Sequence, residues 1–61
     1  MPAQFEIYKD TANPREFRFR LRAENNKIVA VSGAYTTKDA CKQGIASVRE
    51  NAPKAVLQDL T

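Results

Sequence analysis

The 61-residue sequence predicts an α+β fold, a two-layer β-β-β-α-β unit with an antiparallel sheet and one helix packed on it. Three observations carry that prediction. Between Glu16 and Glu24, apolar Phe17, Phe19, Leu21 and Ala23 alternate with basic Arg18, Arg20 and Arg22, a period-two pattern that a helix would scatter around its circumference. A second alternating stretch, Gln4 to Tyr8, precedes it across a run of turn-forming residues. From about Thr37 to Asn51 the pattern changes to helical spacing with one apolar face.

In chain order, the first strand turns Phe5 and Ile7 inward. The segment Lys9, Asp10, Thr11, Ala12, Asn13 and Pro14 reads as a hairpin loop longer than the tightest type, because Pro14 drives Asn13 away from helical geometry. The strongly alternating segment is the second strand. Asn25 and Asn26 tolerate left-handed backbone and are expected to form a two-residue turn into a third strand, Lys27 to Ser32. That turn sets Glu24 opposite Lys27, Ala23 opposite Ile28 and Leu21 opposite Ala30, so that apolar side chains meet on the core face. Gly33, Ala34 and Tyr35 break the strand, and Thr36 with Asp39 three residues on has the spacing of a capping box. Cys41, Ile45 and Val48, flanked by Ala40, Gly44 and Ala52, form the sheet-facing stripe of the helix. Asn51, Ala52 and Pro53 stop it. A fourth strand follows over Ala55 to Leu60, with Val56 and Leu60 on one face and Leu57 on the other.

Residues 1–61 are one domain, without repeat, linker or low-complexity tract. A chain this short buries only about 60% of the surface its unfolded form exposes. One cysteine and no histidine leave it neither an internal disulfide nor a zinc site as a staple, so no metal or other cofactor is expected and association with a second copy is. The lone Cys41 fits a reducing, cytoplasmic setting, and the first residues carry no basic segment leading into an apolar run, so neither a signal peptide nor a membrane partner is expected.

These segments resemble the YegP-like proteins, a family of small uncharacterised proteins. The likeness rests on Phe5-Glu6-Ile7-Tyr8-Lys9-Asp10, Phe17-Arg18-Phe19-Arg20-Leu21, Tyr35-Thr36-Thr37-Lys38, Gly44-Ile45 and Asn51-Ala52-Pro53, and it spans nearly the whole chain. It implies a β-β-β-α-β unit present either as a tandem repeat or as a single copy that forms a homodimer, with one continuous sheet and exchanged C-terminal strands. Val56, Leu57 and Leu60 would then be residues of the dimer strand. It implies no catalytic residues, because the family has no established activity.

Function is therefore weighed from the residues themselves, and no motif among them assigns an activity. The absence of histidine removes the commonest proton-transfer residue near neutral pH, so an enzyme is disfavoured. The reading preferred is a non-enzymatic, homodimeric interaction or accessory domain. Arg18, Arg20 and Arg22 stand about 6.6–6.8 Å apart on one face. With Tyr8 beside them and Arg15 and Lys27 near the ends, they offer an alternative surface for anions or single-stranded nucleic acid. A solvated face is preferred, in which Glu6 pairs with an arginine and the arginine stems cover Val29 and Val31, because ten basic and seven acidic residues leave a net charge of only +3. A more distant alternative is thiol chemistry at Cys41, activated by the helix N-terminus and by Lys38 or Lys42; a small buried hydrophobe is the preferred reading there. Gly44, inside a helix, is expected to mark a close approach of the helix to the sheet or to another helix.

Overall fold

The computed structural model describes residues 2–61. β1 (Gln4–Lys9), β2 (Phe17–Arg22) and β3 (Ile28–Val31) form an antiparallel sheet in the order β1-β2-β3, and α1 (Lys38–Asn51) packs on one face of it. The first hairpin is regular from Gln4 opposite Arg22 to Lys9 opposite Phe17. Its loop closes through Asp10 N–H to the Glu16 carbonyl at 3.0 Å and Glu16 N–H to the Asn13 carbonyl at 2.9 Å.

The second hairpin departs from the two-residue turn. Asn26 N–H donates to the Ala23 carbonyl at 2.9 Å, and Ala23 N–H to the Lys27 carbonyl at 2.8 Å, so three residues form the loop. Asn26 is left-handed at φ 71°, the conformation a type I turn followed by one such residue requires. Leu21 still faces Ala30 and Arg20 faces Val31, but Arg22 faces Ile28 and the register shifts between Leu21 and Arg22. Val29 is the extra residue of the resulting bulge, so Ala23 does not lie opposite Ile28 as the shorter turn would require.

Beyond β3 the chain stays attached to β2 through Ser32 N–H to the Phe19 carbonyl at 2.9 Å and through reciprocal bonds between Phe17 and Tyr35 at 2.7 and 2.8 Å. The helix cap lies one residue later than the capping-box spacing suggested. Thr37, in extended backbone, accepts from Ala40 N–H through Oγ1 at 3.0 Å, since a cap oxygen reaches the donor three residues on. Asp39 sits in the first turn and Arg49 in the last, each at the end the helix dipole favours. At the other end Asn51 remains right-handed rather than adopting a left-handed cap, and a short 3-10 turn over Ala52–Lys54, containing Pro53, delivers the chain into extended backbone at Ala55.

Between the layers, Phe19 meets Phe5 edge-on at 6.0 Å and stacks on Tyr35 at 6.1 Å. Cys41 is fully buried, and Phe19 and Cys41 are the two buried apolar residues among those described. Val48, expected on the sheet-facing stripe, is 38% exposed, and Ala52 is exposed. Only the first half of α1 therefore rests on the sheet. The predicted fourth strand over Ala55 to Leu60 is the principal correction: residues 55–61 form no strand in the single chain, and Val56, Leu57 and Leu60 are 85%, 98% and 86% exposed. Among the described residues, no helix is long and apolar enough to cross a membrane.

Gly44 is explained by the packing. A Cβ there would lie 2.7 Å from Tyr35 Cζ and 3.2 Å from Phe19 Cε2, inside the 3.5–4.0 Å optimum for carbon contacts. Gly44→Ala should lower the melting temperature even though Ala favours a helix by about 1 kcal/mol over Gly. Combining it with Tyr35→Ala should cost less than the two single losses added together, which a thermal double-mutant cycle measures. Phe19→Ala should cost about 3–5 kcal/mol, as other large-to-small core changes do, and leave the domain unfolded by circular dichroism.

Candidate functional site

The face of the sheet turned away from α1 carries the charged constellation. In an antiparallel pair, residues opposite one another share a face, so Glu6 lies beside Arg20 and Tyr8 beside Arg18. Glu6 gathers two arginines. Arg20 Nε donates to Glu6 Oε1 at 2.7 Å, while Arg22 donates through Nε to Oε2 at 3.1 Å and through Nη2 to Oε1 at 3.3 Å. The Arg20 guanidinium also lies over the Tyr8 ring, 4.8 Å from its centroid. Arg22 Nη1 reaches the Asn26 carbonyl at 2.9 Å, which ties the charged cluster to the second turn. Arg18 turns to other partners: Nε lies 3.4 Å from Asp10 Oδ2, and Nη1 donates to the Ser32 carbonyl at 3.0 Å.

Arg18, Arg20, Arg22 and Tyr8 thus stand together on one face, and each arginine already has an acceptor within its own chain. An external phosphate would have to displace Glu6 or Asp10, whereas an unpaired arginine stripe would meet it directly. The arginine stems do not cover Val29 and Val31, which are each 59% exposed. The bulge has moved Val29 from its expected place. It lines a depression of about 440 Å3 with Ala3, Leu21, Ala23, Glu24 and Asn25. Leu21 and Ala23 lie on the same side of β2 as Phe19, so this depression opens on the helix-side face.

Asp10 was absent from the expected surface although the first hairpin's register makes it legible. It lies two residues beyond Tyr8 on the same face, a diagonal neighbour of Arg18. The contributions of Ser32 and Asn26 are backbone carbonyls, and side-chain identity carries no signal for them.

Cys41 lacks the surroundings of a nucleophile. It is fully buried, and desolvation pushes its thiol above the ordinary range, which opposes the thiolate form that reactivity requires. Among the described residues, no group of three or more His, Cys, Asp or Glu is placed to hold a metal ion.

A three-stranded antiparallel sheet with a paired-charge outer face and one helix behind it defines a small α+β module. Residues 7–59 match the family model for a domain of unknown function, DUF1508, and the chain belongs to that family. It is 50% identical over 60 residues to a UPF0339 protein of Treponema denticola, covering 98% of this chain and 100% of the relative. It is 41% identical over 59 residues to the UPF0339 protein YegP of Yersinia pestis, covering 97% of this chain and 51% of that protein. The NMR solution structure of a protein from Haloferax volcanii matches with a TM-score of 0.83 at 39% identity, covering 95% of each chain. The resemblance to YegP-like proteins is thereby established, along with the sheet-and-helix fold; the family is uncharacterised and none of these names is enzymatic.

The Glu6 cluster generates a pH dependence. Hydrogen bonds from Arg22, then Arg20, then Gln4 lower the Glu6 carboxyl from 4.5 to about 2. A carboxyl whose folded-state value is depressed contributes stability above its unfolded value, and that contribution is lost as pH falls toward the folded one. Denaturation midpoints should therefore decline as pH is lowered from about 4.5 to about 2. Glu6→Gln should be less stable near neutral pH and show a shallower decline in that window. An identical acid profile in the variant would remove Glu6 from the account.

Proposed function

We propose that this protein is a non-enzymatic, cytoplasmic interaction or accessory module whose working form is a homodimer with a continuous sheet and exchanged C-terminal strands. The observation that carries this reading is the surface left uncovered. The single chain exposes 5014 Å2, whereas a folded monomer of its mass exposes roughly 4,000 Å2. The difference is comparable to the roughly 800 Å2 that each partner buries in a stable protein interface. Its Cα radius of gyration of 12.8 Å also exceeds the value of about 10.5 Å expected for this length. Exposed Val56, Leu57 and Leu60, together with Val48 on the overhanging half of α1, locate much of the apolar excess at the C-terminal end. The chain also spans all of one relative and about half of another, as expected if two units act together either in one polypeptide or as two.

The cytoplasmic assignment rests on the single free cysteine. An interaction role is favoured over catalysis because the one nucleophile considered is buried and the charged face is internally paired. Beyond a second copy, no nucleic-acid or membrane partner is proposed.

Sedimentation at micromolar concentration should give twice the chain mass of 6.8 kDa, and truncation after Pro53 should abolish both dimer and fold. A full-length chain that stays monomeric and folded at millimolar concentration would overturn the dimer, and a truncated chain that still dimerises would overturn the exchange. In low salt, mixed RNA and single-stranded DNA should leave mobility unchanged. A shift that disappears as salt is raised would instead favour the anion-binding reading of Arg18, Arg20, Arg22 and Tyr8.

A further inference from the structure

We infer that the outer face of the sheet, at Arg20 and the neighbouring Val31, receives an extended acidic segment of a partner protein, one carboxylate of which bonds to the terminal nitrogens of Arg20. This rests on the interaction-module reading above and names its surface and kind of partner; it does not depend on the dimer.

The three arginines are paired unequally. Arg22 is engaged at every nitrogen, with Nε and Nη2 donating to Glu6 and Nη1 to the Asn26 carbonyl. Arg18 donates through Nη1 to the Ser32 carbonyl and turns Nε to Asp10. Arg20 donates to Glu6 through Nε alone, so among the described residues its Nη1 and Nη2 meet no acceptor. The guanidinium is nevertheless held in place, by the Nε bond on one edge and by the Tyr8 ring centred 4.8 Å beneath it. A planar fork fixed before binding forms two parallel bonds to a carboxylate with little loss of side-chain freedom.

Charge decides which anion fits. Three arginines against two carboxylates leave this cluster one positive charge. A run of phosphates along Arg18, Arg20 and Arg22 would lie against Glu6 and Asp10 and find Arg22 fully engaged. One carboxylate matches the net charge and needs only the terminal edge of Arg20. The Arg20 side chain is also the more accessible, 33% exposed against 21% for Arg22.

Apolar neighbours favour a peptide over a small acid. Val31 lies opposite Arg20 on the same face and is 59% exposed, and Ile28 lies opposite Arg22 at 44%. Interfaces concentrate binding on Arg and Tyr where surrounding side chains exclude water. In an extended segment, residues two apart share a face at a spacing of about 6.6–6.8 Å. An acidic residue followed two positions later by an apolar one therefore sets a carboxylate on Arg20 and a side chain on Val31.

The experiment titrates the 13C,15N-labelled full-length protein with the blocked peptide Ser-Glu-Ser-Val-Ser, following arginine Nε–H, Tyr8 ring and Val31 methyl resonances, with the oligomeric state measured by sedimentation. Arg20, Tyr8 and Val31 are expected to shift together, while Phe19 and Tyr35 between the layers do not. The peptide Ser-Gln-Ser-Val-Ser should bind about tenfold more weakly, because a charged hydrogen-bonded pair is replaced by a neutral one. Arg20→Lys, which keeps the charge and loses the fork, should weaken binding of the glutamate peptide by a similar factor. Equal affinity for the two peptides, or no shift on this face at millimolar peptide, overturns the inference and leaves the dimer reading untouched. A response to inorganic phosphate as strong as that to the glutamate peptide makes a free anion the ligand and overturns the partner segment. A dimer with intermolecular NOEs from Tyr8 and Val31 assigns the face to a second copy and overturns the inference too. A monomer that shows the expected shifts supports the site and overturns the dimer reading alone.

Discussion

Phe19 joins the two layers, and the helix can reach it only because Gly44 has no side chain. The phenylalanine sits in the middle of β2, with Phe5 at its edge and Tyr35 stacked against it. The Tyr35 ring and Phe19 together fill the space where a Gly44 Cβ would stand. Tyr35 is itself fixed by reciprocal backbone bonds to Phe17, so it cannot withdraw without breaking the continuation of the sheet. Helix propensity is given up at Gly44 for close approach, and Cys41, three positions earlier on the same helix, is fully buried. The tight packing is confined to the first half of α1. Beyond Gly44 the helix overhangs, leaving Val48 and the segment after Pro53 with little of their own chain to cover them.

The opposite face follows a different logic. Three alternating arginines would repel one another if left bare, and Glu6 and Asp10 distribute themselves among them. Because Glu6 stands opposite Arg20 and within reach of Arg22, one carboxylate links two successive outward positions of β2. Arg22 then extends the cluster to the Asn26 carbonyl, at the left-handed residue that closes the second turn. The charged face consequently reinforces both hairpins through internal bonds, since Arg18, Arg20 and Arg22 each have an acceptor in their own chain.

Much of this was legible in residue order because the determining interactions were local or set by a period. Alternation along Phe17 to Arg22 identified β2 and assigned its faces, since a strand has a period of two irrespective of what packs on it. The placement of Glu6 and Tyr8 beside the arginines followed from pairing two such strands across one loop. The bulge at Val29 was not legible: Asn25-Asn26 permits both a two-residue and a three-residue loop, and the choice fell to the bonds made by Ala23, Asn26 and Lys27. The same choice separated Val29 from the arginine face. The helix cap shifted by one residue for a comparable reason, because Thr36 and Thr37 offer the same hydroxyl and only the path of the chain leaving Tyr35 decides which one meets Ala40.

The sequence by itself determined three strands, one helix, their order, the faces on which the side chains of β1 and β2 fall, and the apolar character of the C-terminal segment. These follow from periodicity and turn chemistry, which act over a few residues. Tertiary structure decided that Gly44 lies against Tyr35 and Phe19, that each arginine on the outer face finds an acceptor in its own chain, and that Ala55 to Leu60 forms no strand within one chain. A segment becomes a β-strand only when another backbone lies beside it to take its hydrogen bonds, and residues 55–61 pair with no strand in a single copy.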